Sequence, residues 1–96
     1  MNVKEERDFK KYVNFNTITK DIVLYYKVVS NIQIGNIKFT VETTDNIEFN
    51  IVTENVEEFR GKILELEQSV IMEHQKKTVQ TIKNIQLLDE LGFKIA

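Results

Sequence analysis

The sequence predicts an α+β fold: an antiparallel sheet of four or five strands over about residues 12–52, followed by a long C-terminal amphipathic helix or helical hairpin over about residues 55–91. Three observations carry that expectation. From Ile37 to Ile51 apolar residues alternate with polar ones on either side of a turn-like Thr43–Asn46, the period of strands with one dry face. From Val56 they return every three or four positions, the period of a helix. The chain has 96 residues and no cysteine, so it reads as one small domain, residues 1–96, without a disulfide framework or a thiolate metal site.

The elements follow in order. Residues 1–11 form a charged lead-in, almost wholly ionic from Glu5 to Lys11. Val13, Phe15 and Thr17 then alternate with Asn14, Asn16 and Ile18, and Thr19-Lys20-Asp21 is turn-like. Ile22 to Val29 is rich in the β-branched and aromatic side chains that strands favour. Ser30-Asn31 and Gly35-Asn36 punctuate the short piece Ile32–Ile34, and Gly35-Asn36 suits a two-residue hairpin because both types tolerate positive φ. Ile37, Phe39 and Val41 share a face, Thr43–Asn46 reads as a turn, and Ile47, Phe49 and Ile51 repeat the apolar face, which predicts a hairpin within residues 37–51.

The helix signal begins at Asn55, an N-cap type, with Glu57 and Glu58 where a helix N-terminus favours negative charge. Val56, Phe59, Ile63, Leu66 and Val70 lie on one stripe with coiled-coil spacing and form the candidate oligomer seam. After the polar stretch Glu73–Thr78, a second apolar set runs through Val79, Ile82, Ile85, Leu88 and Leu91 to Gly92, a C-cap type, with residues 93–96 as a tail returning to the body. One unbroken helix would be about 55 Å long. The expectation is that it pairs with a second copy, and the alternative is a turn near residues 73–78.

The order of elements from Val28 to Gln68 resembles the second half of a bacterial pleckstrin-homology-like domain. The matching residues are Val28-Val29-Ser30-Asn31-Ile32-Gln33-Ile34, then Ile37 to Thr43, Ile47 to Thr53, and the helix opening Asn55-Val56-Glu57-Glu58-Phe59. The resemblance implies a binding or assembly module without catalysis. It transfers no lipid-binding basic loop, because the matching turns hold no cluster of Lys or Arg.

Composition narrows the function classes. The net charge is −2, but residues 41–75 form an acidic block between two mildly basic ends. Basic residues are dispersed, so nucleic acid is not the expected partner. No apolar run is long enough for a membrane span, and the charged N-terminus lacks the apolar region of a signal peptide, so a cytoplasmic protein is expected. Many Ile, Lys and Asn against only Arg7 and Arg60 match A/T-rich codons, as in a low-GC bacterium or its phage.

Groups for chemistry are sparse. His74 is the only histidine and reads as a solvated side chain on the long helix, Ser30 and Ser69 lack a nucleophile-elbow context, and Gly35, Gly61 and Gly92 make no phosphate loop. No catalytic residue, metal site or cofactor is expected. For binding, Tyr25 and Lys27 share one strand face, where an aromatic and a cation could hold a planar or anionic ligand. Arg60 near the helix start is the third candidate, with an ion pair to a partner chain as the competing role.

The expected function is therefore a non-enzymatic cytoplasmic module for protein interaction and self-assembly, a homo-oligomer with a protein partner. Two other classes stand beside it: a phage-type protein that sequesters a nucleotide-like small molecule in an interfacial pocket, and an acidic nucleic-acid mimic.

Overall fold

Alternation and helical period both survive into three dimensions, but over longer elements than the punctuation implies. A computed structural model describes residues 2–93. It has three strands, β1 (Val3–Asn16), β2 (Asp21–Ile34) and β3 (Ile37–Asn50), and one helix, α1 (Val56–Glu90). The strands form an antiparallel meander in the order β1-β2-β3. The class is α+β. The expected four or five strands are three among the described residues, because Ser30-Asn31 and Thr43–Asn46 do not turn the chain: β2 and β3 run straight through them. Ser30 and Thr43 are polar for another reason, since both are fully buried beneath α1.

The charged lead-in is also a strand. β1 begins at Val3, pairs with β2 along its whole length and exposes all of its 14 residues. A strand's ladder is made by backbone groups, so a neighbour can pair it even where its side chains bury nothing. Two tight connections set the register. Asn16 closes the first, its Oδ1 accepting from the amides of Ile18 and Thr19, with Lys20 at φ 64°. Gly35-Asn36 makes the second as expected, with Gly35 at φ 59° in the first of the two central positions, where a type II′ turn needs it.

Asn50 turns the chain from sheet to helix. Its amide nitrogen donates to the Thr19 carbonyl and to Asp21, while its Oδ1 accepts from the amides of Val52 and Thr53, tying the β3–α1 loop to the β1–β2 turn. Asn55 Oδ1 then caps the helix on the Glu57 amide at 2.8 Å. At the far end Gly92 (φ 99°) closes a Schellman pair, with the Gly92 amide on Asp89 O and the Phe93 amide on Leu88 O. The remainder of the expected tail lies outside the described residues.

No turn interrupts residues 73–78; α1 is continuous over 35 residues. Its length, about 52 Å, is matched by strands of 14 residues, about 46 Å each. Helix and sheet are thus of one length, and the molecule measures 59 × 20 × 16 Å. A long helix need not project when the sheet beneath it is equally long. Most of the stripe read as an oligomer seam meets the chain's own sheet: Phe59 stacks on Phe49 at 4.2 Å, and Leu66 and Val70 pack with Tyr26 and Val28. Ile63 is half-buried and Val56 is exposed.

Even-numbered residues of β2 and odd-numbered residues of β3 face α1 and form two apolar clusters. Tyr26, Val28 and Val70 centre one, and Ile32, Ile34 and Val41 centre the other, with Ile82 and Ile85 packed on it. Ile34 has no exposed surface, whereas Ile18 in the first turn is nearly all exposed. Ile34→Ala is expected to cost about 2–5 kcal/mol in urea denaturation, while Ile18→Ala changes stability by under about 0.5 kcal/mol.

Candidate functional site

Between the two apolar clusters lies a polar layer. Leu66, Val70, His74, Thr78 and Ile82 follow one another at steps of four, so the stripe that holds the apolar contacts carries His74 and Thr78 into the same interface. His74, expected on the surface, is fully buried. Its Nε2 lies 2.7 Å from Ser30 Oγ on β2 and its Nδ1 lies 2.9 Å from Thr43 Oγ1 on β3. Ser30 Oγ in turn lies 2.8 Å from Glu5 Oε1 on β1, and Arg7 meets the same oxygen at 3.0 Å.

The proton positions follow from the acceptor at the end of the chain. The Glu5 carboxyl is held below its ordinary range, chiefly by the Ser30 hydrogen bond and further by Arg7, so it is a carboxylate and only accepts. The Ser30 hydroxyl therefore donates to Glu5, and its lone pair receives the Nε2–H of His74. A neutral imidazole then has a bare Nδ1, which accepts from the Thr43 hydroxyl. Thr78 donates separately to the His74 carbonyl oxygen at 2.9 Å. Among the described residues no buried side-chain nitrogen or oxygen lacks a partner.

This direction of donation has a chemical consequence. A serine beside a histidine resembles a nucleophile with its base, but an activated serine must give its proton to the imidazole. Here the imidazole gives to the serine, and both are sealed from solvent. The layer acts as a structural clasp joining β1, β2, β3 and α1. Burial lowers the His74 pKa, the Arg7 and Lys77 charges lower it further, and Glu5 opposes them.

A second feature lies beside the clasp. α1 packs on β2 and β3, not on β1. The odd-numbered residues of β1 share the helix side of the sheet, since Phe9 is opposite Val28 and Lys11 opposite Tyr26. Val3, Phe9, Val13 and Phe15 are therefore 41%, 37%, 67% and 45% exposed on a face whose other two strands are covered. One bridge crosses this trough: Lys11 Nζ lies 2.7 Å from Glu67 Oε1, which also accepts from the buried Tyr26 hydroxyl at 3.1 Å. Burial together with the Glu67 carboxylate pushes the Tyr26 phenol up to about 12. Glu67 marks the flank of α1 turned toward β1, and Leu64 and Ile71 border it there with further exposed apolar surface.

The three binding candidates do not converge. Tyr25 and Lys27 lie on the sheet face away from α1, where Tyr25 packs on Tyr12 at 5.9 Å and Lys27 meets Glu42 at 3.5 Å. Arg60 is on α1, exposed, beside Glu57 at 3.5 Å. A shallow depression on the outer sheet face is lined by Lys4, Glu6, Gln33 and Lys38, and by none of the three. Among the described residues no cluster of His, Asp or Glu could hold a metal, and no helix is long and apolar enough to cross a membrane. Reading the sequence missed Glu5, Ser30, Thr43 and His74 as partners. The available signal was the step of four from Leu66 and Val70, which continues through the polar stretch.

Comparison with protein-family models, curated proteins and solved structures finds no match to this chain.

The clasp carries a pH dependence of definite sign. With the folded pKa of His74 lowered, the unfolded chain binds the extra proton first. The stabilisation is complete above the unfolded value of about 6.5 and is lost as pH falls through it toward the folded value. Urea midpoints are expected to fall between pH 7.5 and 5.5. His74→Leu should flatten that slope and cost about 1–3 kcal/mol at pH 7.5 by stranding the hydroxyls of Ser30 and Thr43. Adding Ser30→Ala and Thr43→Val should recover most of that loss while the slope stays flat.

Proposed function

We propose that this chain is a non-enzymatic module for self-assembly and protein binding, and that its working surface is the uncovered helix-side face of β1 with the adjoining flank of α1. The observation that carries the reading is the exposure of Val3, Phe9, Val13 and Phe15 beside strands that α1 covers. On this face Val13 and Phe15 adjoin, while Glu5, Arg7 and Lys11 part them from Phe9 and Val3, and exposed apolar surface rimmed by polar groups marks sites where another surface docks. The total area points the same way. The accessible surface is 6950 Å², against about 5700 Å² for a compact monomer of 11.3 kDa. The excess goes with the elongated 59 × 20 × 16 Å shape, which leaves more surface open to a partner than a compact monomer has.

The clasp supports the reading from the other side. Its donors and acceptors are all occupied within the fold, which leaves the most histidine-like chemistry of the chain in a structural role. What remains accessible is shape and apolar area, the properties of a binding surface.

Sedimentation equilibrium tests this directly. The wild-type chain is expected to self-associate in the micromolar range. Val13→Lys, at a position already two-thirds exposed, should weaken association at least about tenfold, with the Tm of the dilute monomer unchanged within about 2 °C, since surface substitutions seldom exceed about 0.5 kcal/mol. A wild-type chain that stays strictly monomeric at several hundred micromolar would overturn the self-assembly reading.

A further inference from the structure

Resting on that reading, we infer that two copies of the chain join by antiparallel pairing of their β1 edges in a register centred on Asp8, making one six-stranded sheet with both helices on the same face. β1 is an edge strand, so one row of its backbone groups is unpaired. Edges are ordinarily guarded by shortness, proline, bulges, cover or charged side chains, and of these β1 has only charge, in Lys4, Glu5, Glu6, Arg7, Asp8, Lys10 and Lys11. β1 is 14 residues long, contains neither proline nor glycine, and is not covered by α1. The other edge, β3, lies under α1 on its apolar face, so joining there buries little apolar surface.

Charge selects the register. Centred on Asp8, Glu5 faces the partner's Lys11 and Glu6 faces the partner's Lys10, and the two-fold axis repeats both pairs. Val3 meets the partner's Val13 on the helix side, extending the apolar floor from one copy to the other. Centring on Arg7 instead sets Lys4 against Lys10, Glu6 against Asp8 and Arg7 against itself. Centring on Phe9 opposes Arg7 and Lys11. Centring on Glu6 pairs Lys4 with Asp8 and Glu5 with Arg7 around a Glu6 self-contact, but it leaves Lys10 to Asn16 unpaired, against Asn14 to Asn16 in the register centred on Asp8. Opposite charges directly across a ladder stabilise it and like charges destabilise it. The chosen register has one like-charge contact, Asp8 on Asp8 at the axis, and each of these carboxylates is accompanied by its own Lys10 at 3.4 Å.

The test exploits a chain without cysteine. In Asp8→Cys the two thiols face each other across the axis, at the Cα separation of about 4.5–5.5 Å typical of opposed residues and within disulfide reach. Oxidation at low micromolar concentration should yield covalent dimer, while Thr44→Cys on β3 stays monomeric. Lys10→Glu turns two attractions into repulsions and should raise the dimer Kd about ten- to thirtyfold. Glu6→Lys with Lys10→Glu should restore it, and Asp8→Asn should tighten it. Glu6 and Lys10 point away from α1 and bury nothing, so circular dichroism melts recorded below the dimer Kd should match wild type. Self-association without cross-linking at position 8, and indifferent to the Lys10 reversal, overturns the β1 register and leaves the assembly reading standing. A strict monomer overturns both.

Discussion

The imidazole of His74 reaches from α1 to both strands beneath it, and the alignment of the helix on the sheet depends on that reach. Without it α1 would present a long apolar stripe to two long strands, and little would distinguish one position from another displaced by a turn, about 5.4 Å. With it, such a slip carries the ring into the cluster around Val28 or the one around Ile32 and leaves two buried hydroxyls without partners. A buried polar group without a partner costs about 1–3 kcal/mol. The layer thus contributes uniqueness of packing more than gross stability, the role best attested for polar groups inside apolar interfaces.

The same ring connects burial to charge at the rim. Ser30 passes its proton toward Glu5, and Glu5 is held by Arg7, so a line of hydrogen bonds runs from the centre of the interface to solvent across β1. Farther along the strand Tyr26, Glu67 and Lys11 repeat the arrangement, a buried hydroxyl linked through a carboxylate to a surface cation. Both lines end on β1. They add to the backbone ladder with β2 in holding a strand whose side chains are all exposed.

Much of this was legible in the residues. The class, the Gly35-Asn36 turn, the Asn55 cap, the Gly92 terminus and the helix-facing alternation from Ile37 to Phe49 all rest on local preferences that the fold does not override. What could not be read locally was the meaning of polar residues inside an apolar pattern. Ser30 and Thr43 look like breaks until His74 is known to lie over them, and His74 looks solvated until they are known to lie beneath it. Each is explained only by the others, at separations of more than 30 residues. Phe9 was hidden for a related reason: a single aromatic among charges signals no strand, and only pairing with β2 places it on the same face as Val13 and Phe15. The mismatch of one helix to three strands is a three-dimensional quantity with no counterpart in periodicity.

Because β1 has one strand neighbour and no packing from α1, its hold on the molecule is the ladder to β2 plus two side-chain links. Local opening free energies follow such differences, so amide exchange should divide this protein into a slow unit, β2 with β3 and α1, and a faster strand hinged at Asn16 to Lys20. Whatever docks on β1 then acts by mass action on that local equilibrium. It converts the least protected strand of the monomer into an interior strand of a wider sheet.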